Sequence, residues 1–220
     1  MTKKCLNWLD NNTYKNPRLV FDIGKLKKNY STYKKNFEEI IPYYAIKANP
    51  NKKVIISLND LGCHFDCASL GEIQLCISLK VPPDKISFGN TIKKDKDINE
   101  AYKMGIRIFA FDSLAELKKI SLNAPKSQVF CRIEVSNKGS EWPLSEKFGC
   151  TPKVAENLLL KAQLLNLNPV GLSFHVGSQQ KYFSSWKRAI EKISKIYKNM
   201  KSKDLELNFL NIGGGFPTSD

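Results

Sequence analysis

The sequence predicts an α/β protein with a TIM-type (β/α)8 barrel that is incomplete, with about seven strand–helix units present. Short apolar runs rich in β-branched and aromatic residues recur along the chain, with turn residues between them. Amphipathic segments separate these runs, and this alternation is typical of a parallel sheet covered by helices. The runs are almost evenly spaced, which favours equal units around a barrel over a doubly wound sheet.

The predicted strands are the apolar runs, and the predicted helices are the segments between them. The strands begin at Tyr43, Phe65, Ser87, Ile108, Val129, Val170 and Phe209. The helices are VIISLNDLG, LGEIQLCISL, INEAYKMG, LAELKKISL, AENLLLKAQLL and WKRAIEKISKIY. A complete barrel has about 250 residues. We therefore expect the eighth unit to be missing from these 220 residues.

Three of the predicted helices have recognisable start signals. Ser69 with Glu72, and Ser113 with Glu116, have the spacing of capping boxes directly after a strand. Thr151 is followed by a proline at the first helical position, where the missing N–H costs nothing. These signals place the helix starts just beyond the carboxyl ends of the strands, as strand–helix units require.

The first 23 residues are predicted to be an N-terminal segment distinct from the partial barrel of residues 24–220. The segment contains the run LVFDI, which we predict to be a strand. It precedes the first barrel strand and need not belong to the barrel.

Composition excludes several classes of protein. The chain is 42% hydrophobic, enough for a sizeable core, and has no apolar run long enough to span a membrane. Its N-terminus, MTKKCLNWLDNN, lacks the apolar region of a secretory signal. We therefore expect a cytoplasmic protein.

The net charge of +14 raises the question of nucleic-acid binding. The basic residues are almost all lysine, whereas arginine dominates base and phosphate recognition, and the lysines are spread over several predicted helices, Lys93 among them. We therefore expect no nucleic-acid partner. Cys63, His64 and Cys67 lie close together, but no second ligand pair follows at zinc spacing, so we expect no metal site.

Candidate functional residues are those at the carboxyl ends of the predicted strands, where barrel active sites are built. They are Lys47, Asp66, Arg132, His175, Ser178 and the triplet Gly213, Gly214 and Gly215. Each has a plain structural alternative: a turn for the glycines, a core position for His175, a helix cap for Asp66. Arg132 could pair with Glu134 or Asp66.

Lys47 is the least expected of these residues, because it lies in the apolar run YYAIKA. A lysine pointing inward at a strand end would lose solvation, which lowers its pKa and frees the amine as a nucleophile. The alternative is that the side chain extends to the rim and keeps its ammonium group in water. A nucleophilic lysine with a phosphate-binding glycine triplet, an acid and a histidine indicates pyridoxal 5'-phosphate.

Seven segments in the same order resemble the alanine-racemase-like, fold-type III pyridoxal-phosphate decarboxylases of the ornithine, lysine and arginine type. They are YYAIKANPN, FDCASLGEIQL, SLKVPPDKISFGNTIK, FDSLAELKKI, SEKFGC, GLSFHVGSQ and NIGGGFP. The resemblance runs from about residue 17 to the last residue. EWPLSEKFG and HVGSQQ are similar to the bacterial lysine/ornithine branch of the family.

The resemblance implies a role for each candidate residue. Lys47 stands at the position of the Schiff-base lysine, which holds the cofactor's aldehyde and later assists proton transfer. His175 matches the histidine that stacks on the pyridine face, and Asp66 and Arg132 match polar residues beside the lysine and the ring. Ser178 and the glycine triplet match phosphate contacts, with Gly215 the favoured member.

The activity implied by the resemblance is decarboxylation of a basic amino acid, above all L-ornithine to putrescine and CO2 in polyamine biosynthesis. L-lysine to cadaverine is a further expectation. The family's C-terminal β-domain, which would include the strand of residues 1–23, is missing from the sequence. Because that domain supplies substrate-binding residues and completes the partner's site in a homodimer, we expect the 220 residues alone to be inactive.

Two alternatives to ornithine decarboxylase stay open from the sequence. The first keeps the fold and changes the substrate, to diaminopimelate or arginine; FDCAS and FHVGS favour ornithine over diaminopimelate. The second is a non-enzymatic barrel that binds pyridoxal phosphate for cofactor homeostasis. A regulatory decoy unable to hold cofactor is disfavoured by Lys47, His175 and the glycine triplet.

Overall fold

The computed structural model describes residues 2–12, 15–142 and 147–218. Part of the EWPLSEKFG run, residues 143–146, lies outside the described residues. The chain divides into two compact units, Met1–Ile86 and Ser87–Asp220, which are described separately.

In its described residues, the first unit contains four α-helices and the first strands. The elements are α1 (Lys3–Asp10), α2 (Ile23–Asn36), β1 (Tyr43–Ala45), α3 (Lys52–Asn59), β2 (His64–Cys67) and α4 (Leu70–Ser78). Short 3₁₀ helices span Ile46–Ala48 and Pro83–Lys85, and β3 (Ile86–Phe88) begins at the last residue of this unit.

The second unit continues the alternation of strands and helices. Its elements after β3 are α5 (Asp95–Lys103), β4 (Ile108–Phe111), α6 (Leu114–Asn123), β5 (Gln128–Arg132), β6 (Ser140–Trp142), α7 (Pro152–Leu164), β7 (Asn168–Ser173), β8 (Ser178–Gln180), α8 (Ser184–Lys201) and β9 (Phe209–Asn211). None of the helices among the described residues combines the length and the apolar character needed to cross a membrane.

The seven predicted strands form one sheet in chain order, β1-β2-β3-β4-β5-β7-β9. The register is parallel between β1 and β2, and along the run of pairs from β3 through β5 and β7 to β9. A parallel sheet of strand–helix units in chain order confirms the predicted incomplete (β/α)8 barrel.

Aromatic side chains pack on the strands of the second unit. Phe130 forms a buried cluster with Ile108, Ala110 and Val170, and its ring centroid lies 5.1 Å from that of Phe209. Close packing here requires a glycine in β7, because a Cβ atom on Gly171 would lie 1.7 Å from the Phe209 carbonyl oxygen.

The predicted helix caps form as expected. The Ser69 hydroxyl accepts a hydrogen bond from the backbone N–H of Glu72 at 3.3 Å, and the Ser113 hydroxyl accepts one from Glu116 at 3.2 Å. Thr151 caps α7 in the same way. Each bond pairs one of the N–H groups that a helix start leaves without an internal partner.

The run LVFDI does not form the predicted strand. Residues 19–22 have no regular secondary structure, and Ile23 is the first residue of α2. The Asp22 carboxylate accepts hydrogen bonds from the Lys25 backbone at 3.1 Å and from the Thr2 hydroxyl at 2.7 Å, so it caps the helix instead. The assignment of residues 1–23 to a further domain stays a prediction.

The structure adds a two-stranded antiparallel ribbon, β6 with β8, that the sequence did not predict. Ser140 lies opposite Gln180 and Trp142 opposite Ser178. The ribbon joins the segment after β5, which follows the candidate Arg132, to the segment after β7, which carries the candidates His175 and Ser178.

Candidate active site

Lys47 lies one residue beyond a buried isoleucine in a 3₁₀ turn. Strand β1 ends at Ala45, Ile46 is 0% exposed, and the Lys47 side chain is exposed. The exposed Lys47 is therefore in contact with solvent in this structure, as in the alternative that keeps its ammonium group in water. Its role as the cofactor lysine stays a prediction.

Asp66 lies in β2 at the same strand end as Lys47. It pairs in parallel register with Ala45, two residues before the lysine. Its neighbours Phe65 and Cys67 are both 0% exposed, so the alternation of a strand directs Asp66 to the opposite face. The first unit thus brings the predicted acid and the predicted amine to neighbouring strand ends.

Tyr43 is the first residue of β1 and lies opposite His64 in the register of β1 and β2. Burial raises the pKa of the Tyr43 hydroxyl, and the negative charge of Asp66 adds to the effect. The Tyr43 ring also meets the His64 ring edge to face, with 4.9 Å between the ring centroids.

His175 lies in a tight turn, His175 to Ser178, between β7 and β8, which we call the HVGS turn. Its ring Nδ1 accepts a hydrogen bond from the Gly177 backbone N–H at 3.0 Å. Gly177 has φ +90, a left-handed conformation that favours glycine. Because Nδ1 is the acceptor, the proton of the neutral ring lies on Nε2.

The glycine triplet packs directly against the HVGS turn. A Cβ atom on Gly213 would lie 2.3 Å from the Phe174 carbonyl oxygen, and one on Gly215 would lie 2.0 Å from the Gly177 carbonyl oxygen. Gly213 and Gly215 have φ values of +67 and +89. These two positions therefore require glycine, and the triplet forms a cradle of backbone beside the histidine.

Two hydrogen bonds fix this cradle in place. The Asn211 side-chain oxygen accepts from the Gly213 N–H at 2.8 Å, and the Gly215 carbonyl accepts from the Gln180 N–H at 2.8 Å. A Cβ atom on Gly214 would lie 3.5 Å from His175 Nε2, so the middle glycine faces the imidazole. The second unit thus brings together His175, the HVGS turn and the triplet.

Arg132 ends strand β5 in register with Ser173, two residues before the histidine. Its guanidinium lies 5.1 Å from the centre of the Phe148 ring, a distance suited to a cation–π contact. Gly149, which follows that ring, donates its N–H to the Asp112 carboxylate at 2.9 Å. The segment around Phe148 is thereby tied to the end of β4.

Two polar residues near these elements were missed as functional candidates, Asp112 and Asn137. Asp112 is the last residue of the predicted run IFAFD and directly follows β4, so the rule of strand ends would have found it. Asn137 lies in the turn-forming run SNKG and carries no strand-end signal. Asn137 makes a hydrogen bond to a residue far along the chain, His175, which the local sequence does not indicate.

The cysteines pair closely without ligating geometry. The sulfurs of Cys131 and Cys150 lie 3.6 Å apart, and those of Cys67 and Cys76 lie 3.9 Å apart. Burial raises the pKa of the Cys63 thiol to about 11, so this thiol stays protonated and unreactive near neutral pH. Within the described ranges, no group of three or more histidine, cysteine or acidic side chains could hold a metal ion.

Comparison with known proteins identifies the family. Residues 23–220 match the family described as pyridoxal-dependent decarboxylase, pyridoxal binding domain. The chain is 33% identical to ornithine decarboxylase of Rattus norvegicus over 215 residues, which are 98% of this chain and 47% of that protein. The chain therefore spans about half the length of the curated relatives it matches.

Solved structures of other proteins are similar to this chain in sequence and in fold. Lysine decarboxylase from Selenomonas ruminantium is 31% identical, with a TM-score of 0.91 over 100% of this chain and 57% of that chain. A lysine/ornithine decarboxylase from Vibrio vulnificus, solved with cadaverine, is 29% identical, with a TM-score of 0.89 over 100% of this chain and 58% of that chain. The chain belongs to the pyridoxal-dependent decarboxylases, and residues 23–220 are their pyridoxal-binding domain, whose cofactor is pyridoxal phosphate.

Proposed function

We propose that the protein catalyses the pyridoxal-phosphate-dependent decarboxylation of L-ornithine to putrescine and CO2, in polyamine biosynthesis. The observation that carries the proposal is the glycine cradle seated against the HVGS turn, with Gly214 facing His175 Nε2. The similarity to the rat ornithine decarboxylase supports the choice of substrate.

The residues of the chain fit the cofactor. Backbone without side chains can approach a phosphate closely. At Gly213 and Gly215 there is no room for a Cβ atom. We therefore assign phosphate contacts to the triplet and to Ser178. Lys47 supplies the exposed amine that binds the aldehyde. Asp66 and Arg132 orient polar groups of the ring. When bound, the cofactor provides a ring that accepts the electron pair left when CO2 departs.

His175 and Lys47 have distinct tasks in the proposed reaction. The bond from Gly177 N–H to Nδ1 holds the His175 ring in one orientation, so that a flat face is presented to the cofactor. Lys47 would hold the cofactor through its amine and, when that amine is free, would move a proton. The exposure of Lys47 leaves this amine accessible to incoming aldehyde and substrate.

Lysine is the second candidate substrate, with cadaverine as product. The likeness to the Selenomonas lysine decarboxylase and to the Vibrio enzyme solved with cadaverine favours it. The same Vibrio enzyme has also been solved with putrescine, which is consistent with one site that accepts both chain lengths. We further propose a homodimer with shared active sites in the complete enzyme.

Trapping of the cofactor on Lys47 tests the proposal directly. We expect the protein, incubated with pyridoxal phosphate and reduced with borohydride, to carry the pyridoxyl group on the peptide containing Lys47. The measurement is mass spectrometry of the digested protein. Lys47→Arg keeps the positive charge but cannot bind an aldehyde, since its guanidinium stays protonated.

The matched control is Lys52→Arg, a change at another exposed lysine a few residues further along. We expect it to leave the labelling of Lys47 intact. Labelling spread evenly over the surface lysines, or labelling that survives in Lys47→Arg, would show that Lys47 is not the cofactor lysine.

A further inference from the structure

Two buried carboxamides hold the backbone of the HVGS turn. Asn137 is 5% exposed and Gln180 is 1% exposed. The Asn137 Nδ2 donates to the His175 carbonyl at 3.1 Å and to the Val135 carbonyl at 3.2 Å. The Gln180 Nε2 donates to the next carbonyl, that of Val176, at 3.0 Å. Two consecutive carbonyls of the turn are therefore each held by a buried side-chain amide.

The same two residues close the loop before β6 onto this turn. The Gln180 Nε2 also donates to the Lys138 carbonyl at 3.2 Å. The Ser140 hydroxyl and backbone N–H both donate to the Asn137 carbonyl, at 2.8 and 3.0 Å. Ser140 in turn packs on Gly177, where a Cβ atom would lie 2.4 Å from its hydroxyl oxygen.

These contacts surround the hydrogen bond from the Gly177 N–H to Nδ1 of the imidazole. The Gly177 N–H bonds to His175 Nδ1, and Asn137 holds the carbonyl of the same histidine, so both bonds depend on the backbone conformation of this short segment. A change at Asn137 therefore acts on the ring through the backbone and without contacting the imidazole. Buried amides suit this task because leaving their partners unsatisfied would cost the desolvation of each carbonyl.

We propose that Asn137, supported by Gln180, is a positioning residue that fixes the orientation and tautomer of His175. The consequence for catalysis rests on the proposed function, in which His175 contacts the cofactor ring. The effect on the imidazole itself does not depend on that function.

The test compares Asn137→Asp with the wild-type protein. Aspartate has the same shape but cannot donate two N–H bonds to carbonyls. The chain has two histidines, so ¹⁵N labelling of histidine reports both rings, and His64→Gln distinguishes their signals. In the wild type we expect the His175 signals of an unprotonated Nδ1 and a protonated Nε2.

In Asn137→Asp we expect the two His175 nitrogen signals to move towards each other as the tautomers mix, while those of His64 stay unchanged. We also expect pyridoxal phosphate to bind about tenfold more weakly, measured by absorbance titration, which is the size of effect that a loss of about 1.4 kcal/mol produces. Ser136→Ala, a change at an exposed neighbour in the same loop, should alter neither signal nor affinity.

Two further measurements, one on Gln180→Met and one on the wild-type protein, test the proposal independently of Asn137→Asp. Gln180→Met keeps the side-chain volume and should shift the same His175 signals in the same direction. In the wild type, the Gly177 amide should be strongly protected from hydrogen exchange. Fast exchange of this amide, or folded Asn137→Asp protein with unchanged His175 signals, would overturn the proposal.

The outcomes separate the two proposals. If the wild type binds no pyridoxal phosphate while Asn137→Asp still shifts the His175 signals, the proposed function fails and the positioning role stands. If the cofactor binds to both proteins equally and the His175 signals stay unchanged, the positioning role fails and the proposed function stands.

Discussion

Lys93 carries its amine into the interior of the second unit, where its side chain is 0% exposed. The Nζ atom lies 2.8 Å from the Glu116 carboxylate and donates to the carbonyls of Ala110 at 2.6 Å and Asn90 at 2.8 Å. Lys119 binds the other carboxylate oxygen of Glu116 at 2.6 Å. The predicted position of Lys93 on a solvated helix face was therefore wrong.

Burial makes this lysine sensitive to pH. Loss of solvation lowers the pKa of Lys93 to about 8, from 10.5, although the charge of Glu116 opposes the shift. Between these two pH values the unfolded chain binds more protons than the folded one. The Lys93 contribution to the free energy of unfolding therefore rises as pH increases through this window.

We expect the free energy of unfolding of the wild type, relative to Lys93→Met, to increase by about 2 kcal/mol between pH 8 and pH 10. Urea unfolding of both proteins at each pH measures the difference. Lys103→Met is the matched control, since Lys103 pairs with Glu100 while 64% of its side chain is exposed, and its difference should stay constant. A difference for Lys93→Met that shrinks as pH rises would contradict the expectation.

At the scale of elements, the HVGS turn and the glycine triplet act as one unit of structure. Both follow strands that are neighbours in the sheet, β7 and β9, and both have residues with positive φ. The backbone of Phe174 and of Gly177 fills the space that side chains at Gly213 and Gly215 would take. The glycines are therefore needed for packing as well as for the proposed phosphate contact.

Alanine substitutions in the triplet should differ sharply in their effects. Gly213→Ala forces a side chain onto φ +67 and against the Phe174 carbonyl, and we expect a loss of about 1–3 kcal/mol in the free energy of unfolding. Gly214→Ala meets nothing closer than 3.5 Å and should change stability little. Urea unfolding of the two variants makes the comparison, and equal losses would refute the packing argument.

The β6/β8 ribbon is an element that local sequence patterns do not predict. Its strands, SEW and SQQ, have three residues each and no alternation of apolar and polar side chains. They pair across a helix and a strand that lie between them in the sequence. Short polar strands are specified by their cross-strand bonds, which no local pattern reveals. The same holds for Asn137, whose partner His175 is distant in the chain.

At the scale of the whole molecule, the length of the chain bears on activity. The chain covers about half of the length of its curated relatives. The described residues carry the predicted cofactor contacts. Cofactor binding can therefore be measured on the 220 residues, and turnover can be compared between these residues and a full-length enzyme.

We expect the 220 residues alone to release no CO2 from ornithine, lysine, arginine or diaminopimelate, even when pyridoxal phosphate is bound. A full-length enzyme that contains them should release CO2 from ornithine first and from lysine second, measured with carboxyl-labelled substrates. Release by the chain alone would contradict the first expectation. Cofactor binding by the full-length protein without turnover of any of the four would favour the non-enzymatic barrel.

The sequence by itself determined the alternation of strands and helices, the caps of the helices and the family, because these depend on local periodicity and on motifs in a set order. Only the tertiary structure decided that Lys47 is exposed in a 3₁₀ turn, that Lys93 is buried, and that Asn137 holds His175. The physical reason is that burial and hydrogen bonding join residues far apart in the chain, so the environment of a side chain forms only when the sheet does.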